Sequence, residues 1–283
     1  MPTVSEYVFA GAERLSHGPH PDRALQDAEL LMRHVLGKDQ AWMLAYWHDD
    51  IELEVTIPYH AAIERRRAGE PVQYIIGETE FYGLCFHVDR DVLIPRPETE
   101  HAVEKVLELA ERFEKPRIVD VGTGSGAIAV SLAHHLFDAR ITATDLSMAA
   151  MDVALNNAAL NAVADRIRFV GGDLLTPVAD EQFEIVVSNP PYVAESDRTL
   201  LNVEVRDFEP SMALFSGAEG LTIYRRLIPQ AFGALVEGGY LVLEIGYGQA
   251  EAIKVLMAEA GFADVAFTQD LQGIPRVVAA RRP

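Results

Sequence analysis

Asn189-Pro190-Pro191-Tyr192 follows the apolar strand pattern Phe183 to Ser188 and so falls at a strand's carboxyl end, the place where open α/β sheets bind ligands. The Asn189 side-chain carbonyl and the Pro190 backbone carbonyl offer two acceptors to a planar -NH2 group, and Tyr192 offers an aromatic face. The prolines fix φ and remove backbone donors, which holds such acceptors in one geometry in advance. Read this way, the tetrapeptide is a clamp for an amide or an exocyclic amine. Asn-Pro and Pro-Pro also punctuate ordinary strand-to-loop turns, so the four residues alone leave both readings open.

A second group lies upstream. The short apolar strand Arg117 to Val121 runs into Gly122-Thr123-Gly124-Ser125-Gly126 and then into a helical pattern from Ala127 to Leu136. Glycines at such a turn let the backbone approach a nucleotide where a Cβ would intrude. Asp145, after the strand Arg140 to Thr144, can accept both hydroxyls of a ribose. Gly122, Gly124, Ala127 and Asp145 also satisfy the looser dinucleotide fingerprint, so NAD competes at this point. Three details favour S-adenosylmethionine. Asp120 precedes the glycines, where a carboxylate repels a pyrophosphate but attracts a cationic amine, directly or through water. The strand Arg166 to Val170 leads to Gly172-Asp173-Leu174, placed to flank an adenine. The fourth strand then delivers Asn189, so successive strand ends supply amino-acid, ribose, base and substrate contacts in chain order.

The combination of Asp120 to Gly126, Asp145, Asp173-Leu174 and Asn189 to Tyr192 resembles the class I methyltransferases that modify planar nitrogen. More narrowly it resembles the HemK/PrmC group, the release-factor glutamine methyltransferases. Glu70 to Gly77, Glu80-Phe81-Tyr82, Leu93 to Glu100, Phe208-Glu209-Pro210 and Gly220-Leu221 extend the likeness over nearly the whole chain. Ile94-Pro95-Arg96-Pro97-Glu98-Thr99-Glu100 looks like the release-factor group and unlike its ribosomal-protein paralogue.

The resemblance implies methyl transfer from S-adenosylmethionine, with S-adenosylhomocysteine as product, to the glutamine of a Gly-Gly-Gln tip in class 1 peptide-chain release factors. It implies that Asn189, Pro190, Pro191 and Tyr192 hold the amide, with Tyr192 stacked on its plane and Arg96 and Glu98 at the lip. Asp120, Gly122, Thr123, Gly124, Ser125, Gly126, Asp145, Asp173, Leu174 and Asn189 would hold the cofactor. Glu98 after Pro97 also suits a helix N-terminus. The competing readings are a ribosomal-protein glutamine methyltransferase, an N6-adenine DNA methyltransferase, a NAD-dependent dehydrogenase and a non-catalytic adenosylmethionine sensor.

Composition sets limits on partners. With 43 acidic against 24 basic residues, a net charge of −19, the chain opposes the phosphate field on which nucleic-acid affinity rests. The expected partner is a protein, with no direct nucleic-acid binding. No apolar run reaches the length of a membrane span and no signal pattern opens the chain; a cytoplasmic monomer is expected. Cys85 is the only cysteine, which rules out an internal disulfide; its neighbours make it a strand residue. His134-His135 lacks a third ligand at a suitable spacing, and no metal site is expected. Arg65-Arg66-Arg67 reads as a solvated helix face, and Trp42 and Trp47 as packing residues.

The elements that must carry these residues fall into three stretches. Residues 1–75 are helical, from the spacing of Leu25, Ala28, Leu31 and Leu36 with Gly37 as terminator, and form a substrate-binding domain. Residues 76–95 form a β-hairpin linker around Gly83, with period-2 runs at Tyr74 to Ile76, Glu80 to Tyr82 and Leu84 to Val88. Residues 96–283 alternate strand and helix as in a doubly wound, mostly parallel α/β sheet, ending in an antiparallel pair, Val265 to Gln269 and Arg276 to Ala280. By resemblance this is the seven-stranded, Rossmann-like methyltransferase sheet.

Overall fold

The computed structural model describes residues 2–283. They form two compact units, one taking the chain through Glu78 together with Leu201–Phe208, the other comprising Thr79–Leu200 and Glu209–Pro283.

The first unit is built of helices Val4–Leu15, Ala24–Leu36, Gln40–Ala45, Leu53–Arg67 and Val72–Ile76. Thr3 opens the first with a reciprocal cap, its hydroxyl accepting from Glu6 N while Glu6 accepts from Thr3 N, so two otherwise orphaned donors are satisfied. Gly37 closes the second at φ 62°, a left-handed position that glycine occupies without strain. Val8, Leu31, Met32, Tyr59 and Ile63 form the buried centre, and Trp42 and Trp47 pack against it. Two local expectations change. Tyr74 to Ile76 is helical rather than extended, because Pro71 starts a short turn that Gly77 ends at φ 86°. The arginine triplet is not a uniform solvated face: Arg66 is 2% exposed and pairs through Nε with buried Asp27 at 2.6 Å and through Nη1 with Glu204. Glu204 belongs to the helix Val203–Phe208, which joins this unit from far along the chain.

Strands β1 (Glu78–Phe81) and β2 (Leu84–His87) pair around Tyr82-Gly83. Both turn residues have positive φ, 50° and 73°, the requirement of a tight two-residue hairpin turn. Exposed Cys85 lies in β2.

The large sheet contains β3 (Arg117–Val121), β4 (Arg140–Asp145), β5 (Ile167–Gly171), β6 (Phe183–Ser188), β7 (Leu235–Glu244), β8 (Ala263–Gln269) and β9 (Pro275–Arg281), in the order β5-β4-β3-β6-β7-β9-β8. The first five are parallel, whereas β9 runs antiparallel to β7 and β8, as the sequence pattern led one to expect. Ile118, Val119, Ile185, Val186 and Val187 are wholly buried, because helices cover both faces of a parallel sheet. The helices Glu100–Ala110, Ala127–His135 and Met148–Leu160 supply one apolar layer, and Thr222–Ala234 and Ala250–Glu259 the other. Chain order reverses between β3 and β6, so the loops after these neighbouring strands open on one crevice. Among the described residues no helix is long and apolar enough to cross a membrane.

Candidate active site

The carboxyl ends of β3 to β6 surround a cavity of ≈ 190 Å³. Its alignment begins in the strand register, which pairs Asp120 with Val187. One residue further on, Ser188 Oγ donates to the Val121 carbonyl at 2.6 Å. That bond ties the two strand ends just before Gly122 and Asn189.

The glycine loop is shaped by positive φ at Gly122 (72°), Gly124 (55°) and Gly126 (82°). A Cβ at either of the first two would meet no atom within 4 Å, so here glycine serves conformation and leaves the backbone bare toward the cavity. Gly126 does something else. Its Cβ would lie 3.2 Å from that of Ala154, making it a helix-packing position, and it does not line the cavity. Asn157, fully buried, donates to the carbonyls of Ser125 and His87 and accepts from His87 N, bracing the loop against β2.

Asp145 lines the cavity with its oxygens already engaged by Gly124 N at 2.9 Å and Ser147 N at 2.8 Å. Each carboxylate oxygen keeps a further lone pair, the acceptors a ribose diol requires. Burial pushes its pKa up, against those backbone donors. Asp120 is 1% exposed and sits behind the lining. Thr123 Oγ1 and Ala129 N donate to its Oδ2, whereas Oδ1 meets no hydrogen-bond partner. Burial pushes the carboxyl up to about 7. An unsatisfied buried acceptor of this kind fits a cationic group or a water that links to one. Asp173 and Leu174 line the cavity near Leu146, and Asp173 pairs with Arg226, a residue the sequence reading did not select. The bare glycine backbone, the diol acceptors and the orphaned Asp120 oxygen together fit the ribose and amino-acid ends of S-adenosylmethionine.

Of the tetrapeptide, Asn189, Pro190 and Pro191 line the cavity. Tyr192 does not. Its hydroxyl donates to Glu244 Oε1 at 3.3 Å and its ring packs, partly buried, with the apolar layer under the sheet, and burial of the hydroxyl raises its pKa. Asn189 Nδ2 donates to Thr99 Oγ1 at 3.1 Å, and Thr99 donates to Glu244 Oε2 at 2.6 Å. Arg96 lines the cavity and reaches Glu209 at 2.5 Å. Glu98, in the turn Pro97–Thr99 that leads into the helix from Glu100, lies outside the lining; its charge instead helps burial hold the Glu244 carboxyl up to about 7.

Sequence reasoning missed Thr99 as a partner of Asn189, as well as Glu244, Asn157 and Gln249. Gln249 Nε2 donates to the Tyr192 carbonyl at 3.0 Å. Only Glu244 carried a signal, as the acid that closes the apolar run Tyr240 to Leu243.

Two family models match the chain, the PrmC N-terminal domain over residues 10–77 and the methyltransferase small domain over residues 103–207. The chain is 43% identical over 282 residues to a release factor glutamine methyltransferase of Koribacter versatilis, covering 99% of each chain. A protein so described from Bordetella pertussis is 42% identical, with 89% of this chain and 92% of that one covered. Among solved structures, the hMettl16 catalytic domain with a MAT2A 3′UTR hairpin gives a TM-score of 0.59 at 18% identity, covering 87% of this chain and 93% of that one. The T. thermophilus 16S rRNA N2 G1207 methyltransferase, solved with AdoMet and guanosine, gives 0.53 at 17%, covering 73% and 50%. Both share the fold. With full-length identity of this order, the chain belongs to the release factor glutamine methyltransferase family.

Proposed function

We propose that this protein methylates the side-chain amide nitrogen of the glutamine in the Gly-Gly-Gln tip of class 1 peptide-chain release factors, in the cytoplasm, with S-adenosylmethionine as donor. The observation that carries the reading is Asn189: its NH2 is committed to Thr99, leaving its carbonyl oxygen as an acceptor at the cavity wall. Asp145 holds the ribose hydroxyls, Asp120 faces the amine, and Gly122 to Ser125 with Asp173 and Leu174 enclose the rest. When bound, S-adenosylmethionine supplies a methyl group on a positively charged sulfur. An amide nitrogen is a poor nucleophile because its lone pair is delocalised into the carbonyl. Asn189 Oδ1 and the Pro190 carbonyl accept its two N–H bonds, which turns the lone pair toward the incoming methyl. Catalysis by these residues is positioning and a pre-set pattern of acceptors. The proton leaves to water as the N–C bond forms.

The acidic surface favours a protein substrate over duplex DNA. Incubation with labelled S-adenosylmethionine and, separately, a class 1 release factor, ribosomal protein and duplex DNA tests the reading. Label on the release-factor glutamine is expected. Label confined to ribosomal protein or to adenine would overturn it.

A further inference from the structure

The Asn189 carboxamide is useful as an acceptor only if it points the right way, and the protein contains a device that decides this. Thr99 Oγ1 carries a single proton, which goes to Glu244 Oε2 at 2.6 Å. The Glu244 carboxyl, held up to about 7 by burial, is ionised above that pH and can then only accept. Thr99 Oγ1 must therefore accept from the group 3.1 Å away on Asn189, and that group must be the NH2. Turning the carboxamide over would set Asn189 Oδ1 against the Thr99 oxygen with no proton between them. Thr99 and Glu244 are 4% and 2% exposed, so no bulk water relieves the mismatch. The second oxygen of Glu244 takes the Tyr192 hydroxyl at 3.3 Å. One carboxylate thus holds both ends of the tetrapeptide, Tyr192 directly and Asn189 through Thr99.

We propose that Glu244, acting through Thr99, is a positioning residue that fixes the orientation of the Asn189 carboxamide and thereby makes its oxygen the acceptor for the reacting amide. Its catalytic consequence rests on the function proposed above; the orientation itself does not. Glu244 lies outside the cavity lining, whereas Thr99 shares the cavity wall with Asn189, so removing the relay at Glu244 should spare substrate affinity and slow turnover.

The test uses the full chain. Thr99→Val and Glu244→Met each break the relay at similar volume, and a fall in kcat of about 10- to 100-fold is expected, the scale of a misplaced catalytic contact. In Glu244→Met, KM for the release factor and affinity for S-adenosylmethionine should barely move. Thr99→Ser keeps the hydroxyl and Glu244→Gln keeps an acceptor for it, so both should recover most of the rate. A merely structural role would not sort the four variants in this way. Independently of any substrate, the Asn189 side-chain amide protons, assigned by their absence in Asn189→Ala, should exchange slowly in the wild-type protein. If the wild type methylates no glutamine, the proposed function falls while this amide measurement still decides the orientation. Wild-type kcat in both Thr99→Val and Glu244→Met, or free exchange of the Asn189 amide in the wild-type protein, would overturn the proposal; should the variants not fold, the exchange result alone decides.

Discussion

Gly220 lies so close to Tyr192 that a Cβ on it would stand 2.2 Å from the Tyr192 carbonyl oxygen. Gln249 bridges the same two residues, donating to Tyr192 O at 3.0 Å and Gly220 O at 3.4 Å. Gly220 also holds φ 72°, so a side chain there is opposed by conformation and by backbone that cannot swing aside. Gly220→Ala should therefore displace the end of the Asn189 to Tyr192 segment and lower kcat by about 100-fold, the cost of a shift of roughly 1 Å in a positioning element. Affinity for S-adenosylmethionine, set by other strand ends, should change little. Steady-state kinetics with calorimetry checks both halves, and an unchanged kcat would contradict the account of this contact.

Asn189→Ala removes an acceptor from the reacting amide and no ligand of the nucleoside. Turnover is expected to drop on the order of 100-fold or more, with the affinity for S-adenosylmethionine close to wild type. Wild-type rates in this variant would end the clamp model.

Asp145 makes the opposite case. Asp145→Ala withdraws a charged acceptor from the ribose hydroxyls, an interaction of roughly 1.5 to 3 kcal/mol, and also releases Gly124 N and Ser147 N. Calorimetry should show binding weakened by at least about tenfold, the equivalent of 1.4 kcal/mol. Equal affinity would remove Asp145 from the cofactor assignment.

The large sheet was legible because its strands are continuous apolar runs closed by Gly, Asp or Asn, and that periodicity follows directly from burial on two faces. The placement of Asp145 and Asn189 at the cavity was legible for a related reason: a strand's carboxyl end is where such a sheet opens its crevice. Thr99 and Asn189 are 90 positions apart, and nothing in either local sequence records that bond. Tyr192 was read as a platform because an aromatic residue beside a clamp looks the same whether its ring faces ligand or core; its bond to Glu244, 52 positions away, leaves no mark in the local sequence. Arg66 was read with its neighbours as one charged face. Helical spacing turns adjacent residues about 100° apart, and the middle residue faces inward toward Asp27.

That ion pair yields a prediction for the helical unit. Arg66→Leu would leave Asp27, 1% exposed, with the partly exposed Arg23 at 3.4 Å as its one ion-pair partner among the described residues. Breaking one side of a buried pair costs roughly 3 to 5 kcal/mol, whereas replacing both partners by apolar residues is often neutral. The double variant Arg66→Leu, Asp27→Leu should recover part of the loss, because Glu204, the second partner of Arg66, still loses its ion pair. Both tryptophans of the chain, Trp42 and Trp47, lie in this unit, so their fluorescence in urea reports its unfolding. Equal midpoints for Arg66→Leu and wild type would show that the pair carries no stability.

Asp120 predicts a proton. Burial raises its carboxyl to about 7, against ~3.9 when unfolded, with Thr123 Oγ1 and Ala129 N opposing the rise and the Asp145 charge adding to it. A folded-state pKa above the unfolded value means stability that is full below about pH 4 and lost as pH climbs through about 7. Asp120→Asn should lie flatter over that window than wild type, with the difference in unfolding free energy shifting by up to a few kcal/mol, about 1.4 per pKa unit. A cationic amine arriving at the same carboxyl favours its ionised form. Below about pH 7 the ligand-free carboxyl takes up its proton, so binding S-adenosylmethionine at pH 6 is expected to release protons. Calorimetry at pH 6 in two buffers of different ionisation enthalpy should show release of up to about one proton per ligand, diminishing toward pH 8 and absent in Asp120→Asn. Proton uptake, or the same release from the asparagine variant, would place the amine elsewhere.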